Sequence, residues 1–289
     1  MGYGFQLCEW FDPKLQPDHS IVEVKFDGTM AIFEDGRLRN RRKRDITERF
    51  PEVQISEFAN DVVLVGEVCC FSNGVSDFRK ILRRNTDNPT KIRLLTKTNP
   101  ATYIVFDVLE YKGEDITHKP LRERRAVLDE WYSTVYLQGL NGSDLARGVE
   151  RANKWEVDKS DPCGLDGILE IITNYKAEGI IVKNPDSPYI PDRTTNWLKL
   201  KAWKTKVFEI LRHEITDNRG FVIYIRNNGH EQRVAVNGQN DQQRILRGMG
   251  RFAKVRYLRE EESGALYEGH FHGFAKSKDE HPSTTLDRR

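Results

Sequence analysis

A strand that ends in a lysine governs how this chain can be read. Ile21, Val22 and Val24 form an apolar run of strand type, and Asp27-Gly28 marks its end. Lys25 therefore stands at the lip of a sheet, where a cleft can open. In such a cleft, near other cations and partly out of water, an ammonium gives up its proton more readily and becomes a nucleophile. A surface lysine beside a turn is the ordinary alternative, and Lys-x-Asp-Gly is a short motif. Its weight comes from the ordered series of segments C-terminal to it.

Strands and helices then alternate. Thr29 to Phe33 reaches Glu34-Asp35-Gly36, a hairpin signal. The returning segment, residues 37–44, carries six basic residues among eight. Clustered Lys and Arg replace counterions on a nucleic-acid backbone, although an edge strand protected by charge has the same composition. Val62-Val63-Leu64-Val65 is a buried-strand run ending at Gly66-Glu67, and a carboxylate in such a run needs a partner or a metal. Arg79, Lys80, Arg83, Arg84, Lys91, Arg93 and Lys97 form a second basic segment with Asp87 as its single acid. Thr102 to Leu109 is another buried strand. Leu121 to Tyr132 has the apolar spacing of a helix, residues 139–163 read as loop with one short helix, and Leu165 to Tyr175 as a further helix. Glu178-Gly179-Ile180-Ile181-Val182-Lys183 is a compact strand with an acid at its head and a lysine at its tail. A proline-containing loop, residues 189–196, holds Arg193. In Trp197-Leu198-Lys199-Leu200-Lys201 both lysines share one face, where burial would demand an anionic partner. Residues 1–20 read as an irregular lead-in, so no accessory domain is expected before Lys25.

After Lys201 the pattern changes to short strands at 206–215, 221–226, 231–236 and 251–259, with a helix near 240–248. Turn chemistry at Asp217-Asn218-Arg219-Gly220 and Asn228-Gly229 separates them. Such a meander fits a small OB-type barrel, and a domain boundary falls near Ala202-Trp203. A length of 289 residues, 38% of them hydrophobic, suffices for two cores. The net charge of +2 does not announce nucleic acid, whereas the two basic segments do. Cys8, Cys69, Cys70 and Cys163 have no Cys-x-x-Cys spacing, which argues against a zinc cluster or disulfide framework and fits a reducing compartment. No signal-peptide pattern or membrane-length apolar stretch is present. A soluble cytoplasmic protein, nucleoid-associated if prokaryotic, is expected.

Taken in order, Lys25-Phe26-Asp27-Gly28, Gly66-Glu67, Phe106-Asp107-Val108, residues 178–183 and residues 197–201 resemble the motifs of covalent nucleotidyltransferases. The series looks most like the ATP-dependent DNA ligases, in a minimal two-domain form similar to small viral ligases and prokaryotic end-joining ligase modules. The resemblance covers nearly the whole chain. It implies an α+β fold: an ATP-grasp-like DNA ligase adenylation (nucleotidyltransferase) domain of antiparallel sheets and helices over residues 1–202, then a small all-β OB-fold barrel over 203–289. It also implies the chemistry. Lys25 attacks the α-phosphate of ATP to give lysyl-AMP, AMP moves to the 5′-phosphate at a nick in duplex DNA, and the 3′-hydroxyl displaces it.

In that scheme Lys199 and Lys201 cradle the α-phosphate and Lys183 adds positive potential. Glu178 helps to hold Mg²⁺, with Mn²⁺ as an alternative, and Glu67 contacts the ribose or a metal. Phe106 stacks on adenine, with the Glu23 segment along the base edge. Arg41 matches the arginine that contacts ribose, and Arg193 the one placed for the nucleotide or the 5′-phosphate. Arg42, Arg44, Arg83 and Arg84 are expected on DNA. The chain departs from the pattern at Met30, where the family usually carries arginine. It departs again near its C-terminus, where residues 271–279 offer only Lys276 and Lys278 as candidates to position pyrophosphate. An RNA ligase or mRNA-capping guanylyltransferase shares the lysine chemistry, and a non-catalytic nucleic-acid-binding module is the remaining alternative. The resemblance further implies a monomer with a hinge near residue 202, working with repair or end-joining proteins and independent of membranes.

Overall fold

β-Branched and aromatic residues concentrate in the strands of the first unit, which runs to Leu200. These are β1 Leu7–Trp10, β2 His19–Lys25, β3 Thr29–Glu34, β4 Arg37–Asn40, β5 Val62–Ser72, β6 Ala101–Tyr111, β7 Val149–Arg151, β8 Lys154–Asp158, β9 Gly179–Lys183 and β10 Arg193–Lys201. The computed structural model of the protein describes residues 2–140, 146–217 and 220–278. One sheet has the order β1-β10-β9-β2-β8. The larger one runs β7-β6-β5-β3-β4, with Val75–Ser76 and Glu114–Asp115 as short additions.

Both faces of the larger sheet are buried, which is why its strands read as unbroken apolar runs. Ala31, Phe33 and Leu64 face one core together with Leu128, Trp131 and Val135 of the helix Leu121–Leu140. Ile32, Val63 and Val65, one residue out of step, face Tyr189 and Trp197 in a second core. The helices are α1 Phe78–Arg83, α2 Pro89–Thr98, α3 Leu121–Leu140 and α4 Gly164–Asn174. Asn88 caps α2 by accepting from the backbone of Thr90 and Lys91, with proline in the first turn. Two glycines permit close packing of the chain against the larger sheet. A Cβ on Gly28 would lie 2.3 Å from the Val68 carbonyl oxygen, and one on Gly66 would lie 2.5 Å from that of Ile104.

The observed fold departs from expectation at several points. The lead-in is not wholly irregular, because β1 pairs with β10 in parallel. The segment read as loop with a short helix supplies β7 and β8, where Trp155 and Val157 alternate with charged neighbours. The sheets are mixed rather than antiparallel throughout, since β7 also runs parallel to β6. The loop before Trp197 is partly strand as well, β10 beginning at Arg193.

The second unit starts at Lys201. It contains β11 Lys204–Glu209, β12 Arg212–Ile215, β13 Phe221–Asn227, β14 His230–Ala235, α5 Gln239–Leu246, β15 Phe252–Tyr257 and β16 His270–Ala275. Two antiparallel three-stranded sheets, β11-β15-β16 and β12-β13-β14, share a core of Phe208, Ile223, Ile225, Val234, Ile245 and Val255. Asn228-Gly229 turns the β13–β14 hairpin with both residues at positive φ, 48° and 80°. The other expected turn includes Asn218 and Arg219, which lie outside the described residues. The run 206–215 is two strands, and β16 adds one that the sequence did not announce. Among the described residues, no helix is long and apolar enough to cross a membrane.

Candidate active site

Lys25 ends β2 and stands opposite Gly179 of antiparallel β9. That register brings Glu178, one residue ahead of β9, against the lysine, and Nζ donates to Glu178 Oε2. Glu178 is almost closed off, 5% exposed, while Lys25 keeps 23% of its side-chain surface open toward solvent. A lysine so placed is anchored yet reachable.

Two residues earlier on the same face of β2 lies Glu23, which is buried. Its Oε2 accepts from Lys183 at 2.5 Å, and Arg125 Nη1 lies 3.4 Å from its Oε1. Lys183, also buried, sits 4.5 Å from the Phe106 ring centre and 4.3 Å from that of Trp197. A desolvated cation between two aromatic faces and a carboxylate is well satisfied. It also fixes the orientation of Phe106, whose ring meets Trp197 edge-on at 5.8 Å.

Glu67 enters from the larger sheet, opposite Met30 of β3 and Ile104 of β6. Burial pushes its carboxyl up to about 8, with Lys25 pulling the other way and Glu178 and Asp27 adding to the rise. Lys199 arrives from β10 beside Trp10, its ammonium 4.3 Å from that ring. Burial, then Arg193 and Lys25, lower its pKa. Arg193 donates to the Cys8 carbonyl at 2.6 Å. Burial raises the Cys8 thiol against the pull of Lys183, Lys25 and Lys199.

A cleft of about 250 Å³ unites these groups. Its walls include Glu23, Lys25, Arg41, Glu67, Phe106, Lys183, Arg193 and Lys199 from the expected set, and also Gln6, Cys8, Met30 and Trp197. Met30 stood out in the sequence as a departure from the family pattern and Trp197 as part of the 197–201 motif, whereas Gln6, Cys8 and Arg125 carried no role. Gln6 and Cys8 come from a segment without alternation. Arg125 is one of several charges on a helix, and nothing local distinguishes it from its exposed neighbours. Among the described residues, no group of three or more His, Cys, Asp or Glu could hold a metal by itself.

The remaining expected residues lie elsewhere. Lys201 is engaged by Glu268 at 2.7 Å in the second unit. Arg42 and Arg44 are exposed and, with Arg41 and Met30, line a neighbouring cavity of about 440 Å³. Arg83 is exposed on α1. Arg84 is not a DNA-facing residue: it is fully buried and its guanidinium holds the Glu52 carboxylate and the Asn99 carbonyl oxygen. The reason is helical spacing, which puts Arg84 on the face of buried Ile81. Lys276 and Lys278 are exposed beyond β16, and Asp279 lies outside the described residues.

Known proteins are similar to this chain in sequence and in fold. The family described as ATP dependent DNA ligase domain matches residues 8–201. The SPbeta prophage-derived DNA ligase-like protein LigB of Bacillus subtilis is 28% identical over 193 residues, covering 63% of this chain and 61% of that protein. DNA ligase C of Mycobacterium tuberculosis is 28% identical over 199 residues, covering 65% and 52%. The chain spans 61%, 35% and 31% of the length of the first three curated relatives. Among solved structures, one from work on DNA binding with a minimal scaffold in Lig E DNA ligases superposes with a TM-score of 0.70 at 13% identity, covering 95% of this chain and 100% of that one. Mycobacterial DNA ligase D complexed with ATP and MES gives 0.56 at 20% identity, covering 94% and 95%. At these identities the likeness is one of fold.

Proposed function

We propose that this chain, which belongs to the ATP-dependent DNA ligase family, seals 5′-phosphate/3′-hydroxyl nicks in duplex DNA through a lysyl-AMP intermediate. One observation carries the reading: Lys25 is anchored on the Glu178 carboxylate in a cleft whose wall also holds Glu67 and the cations Lys199 and Arg193. In the first step the Lys25 amine forms a bond to the α-phosphorus of ATP. The bond to the bridging oxygen breaks, pyrophosphate leaves with the electron pair, and Nζ gives up a proton. Glu178, in contact with Nζ, is the nearest base for it. Phosphoryl transfer is helped chiefly by positioning and charge neutralisation, and Lys199 and Arg193 supply cations there. Lys183 holds Phe106 against the base and adds to the potential.

Glu67 and Glu178 suit Mg²⁺, a hard cation content with one or two carboxylates when phosphate oxygens complete its shell; it would neutralise phosphate charge. Exposed Arg41, Arg42, Arg44 and Arg83 suit contact with the DNA backbone. AMP then passes from Lys25 to the 5′-phosphate at the nick, and the 3′-hydroxyl displaces it. Residues to about 202 would form the adenylation domain, and the two three-stranded sheets beyond would form an OB barrel carrying Lys201, Lys276 and Lys278. A cytoplasmic monomer serving repair or end joining completes the proposal.

The test is label transfer from α-labelled ATP to the protein with Mg²⁺, in wild type and Lys25→Ala, chased with 5′-phosphorylated nicked DNA. Label that requires Lys25 and leaves as sealed DNA forms is expected. Label taken from GTP would indicate capping chemistry. A folded wild type that takes no label overturns the proposal.

A further inference from the structure

We infer that Gln6 reads the nucleobase, its side-chain amide donating a hydrogen bond to a ring nitrogen of adenine in the Lys25 cleft. The inference rests on the ligase reading of that cleft.

Gln6 is 1% exposed and is held on two sides. Its backbone N–H donates to the Tyr189 hydroxyl at 3.0 Å, and that hydroxyl donates to the Gly4 carbonyl at 2.9 Å. Its side-chain Oε1 accepts from the Ile190 N–H at 2.6 Å. A backbone N–H can only donate, so the amide oxygen must face Ile190 and the amide cannot be turned over. Nε2 is thereby committed to the other direction. It is buried, has no hydrogen-bond partner among the described residues, and belongs to a side chain in the cleft wall. A buried donor left unmade costs more than a made hydrogen bond returns.

The same wall offers an acceptor. Glu23 Oε1 is buried without a hydrogen-bond partner among the described residues; the Arg125 guanidinium lies 3.4 Å from it as an ion pair and leaves hydrogen-bonding capacity on that oxygen, while Lys183 holds Oε2. Lys25, Lys199 and Arg193 provide for phosphates. An uncharged donor and a remaining acceptor are left for the uncharged part of the nucleotide. Adenine presents both complements: its 6-amino group donates, and the ring nitrogens N1 and N7 on either side accept. Glu23 takes the amino group and Gln6 one flanking nitrogen.

The test is equilibrium binding by titration calorimetry, on protein stripped of adenylate with pyrophosphate and held in EDTA. ATP, 1-deaza-ATP and 7-deaza-ATP are compared on wild type, Gln6→Glu and Gln6→Met. Gln6→Glu keeps an acceptor for Ile190 and removes the donor. Wild type is expected to bind one deaza analogue about tenfold more weakly than ATP, the worth of one buried hydrogen bond. In both variants that difference should shrink to within about twofold. Equal binding of all three nucleotides by wild type, as a trapped water on Nε2 would give, overturns the inference. So do folded variants that keep the wild-type discrimination. If a variant does not fold, the analogue series on wild type decides. A wild type that binds no ATP fails the ligase reading itself, and the inference with it.

Discussion

Asp107→Asn is expected to cost far more than the change of one atom suggests. Asp107 on β6 and Arg124 on α3 are both fully buried. Arg124 Nε donates to Oδ1 at 2.9 Å and Nη2 to Oδ2 at 2.8 Å. Its Nη1 donates to the carbonyl oxygens of Lys119 and Ser187 at 2.7 and 3.1 Å. Oδ1 also accepts from the Val108 N–H at 2.9 Å. Asparagine offers one oxygen in place of two, so an amide N–H must face a guanidinium N–H, and the arginine charge stays buried without its counterion. Breaking a buried pair from one side costs about 3–5 kcal/mol. At roughly 2–4 °C per kcal/mol for a domain of this size, Tm should fall by about 6–20 °C. Removing both charges, as Asp107→Leu with Arg124→Met, costs only the packing change and the two carbonyls deprived of donors. It should recover about half of the loss or more, a coupling of roughly 1–3 kcal/mol. Urea and heat unfolding followed by tryptophan fluorescence measure both quantities. A loss under about 1 kcal/mol for Asp107→Asn, or strict additivity of the two single changes, would refute the reasoning.

Glu67 gives a pH test. Its folded carboxyl is raised from 4.5 to about 8, so the folded state favours the neutral form. That contribution is complete below pH 4.5 and is lost as pH rises toward about 8. In EDTA, the Tm advantage of Glu67→Gln over wild type should therefore grow across that window; parallel pH curves would contradict the assignment. The basic segments should separate in a DNA-binding assay with nicked duplex. Arg42→Ala and Arg44→Ala are each expected to weaken binding and flatten the log-log salt dependence by about 0.9. Arg84→Met should leave that slope alone and lower stability by about 3 kcal/mol, because it strands the Glu52 carboxylate.

Lys25, Glu67, Lys183 and Lys199 were legible because a charge inside or at the end of an apolar strand demands a local explanation. The same runs gave the central strands β2, β5, β6 and β9, whose residues are buried on strand geometry alone. β1 was not legible: its four residues have no alternation and owe their strand state to β10, far along the chain. β7 and β8 are short edge strands for the same reason. Composition misassigned Arg84, where a basic segment looks like surface but the period of a helix turns one member inward. Lys199 and Lys201 show a related limit. Alternation gives them a common face, yet one meets Trp10 and the other Glu268, and partners are not a property of period.

The parallel pairing of β1 with β10 bears on how the protein is made. Trp10 lies near the start of the first unit, and its neighbour Lys199 is nearly the last residue of that unit. On the ribosome, the opening segment must wait for almost the whole unit to emerge. A nascent chain that has reached α4 carries Lys25 and Glu67 but has neither Lys183 nor Lys199 to complete the cleft. Contacts so distant along the chain fold slowly, because the loop must close before they form. Nucleotide binding should therefore switch on late in synthesis and abruptly, once the chain's early strand has found its partner.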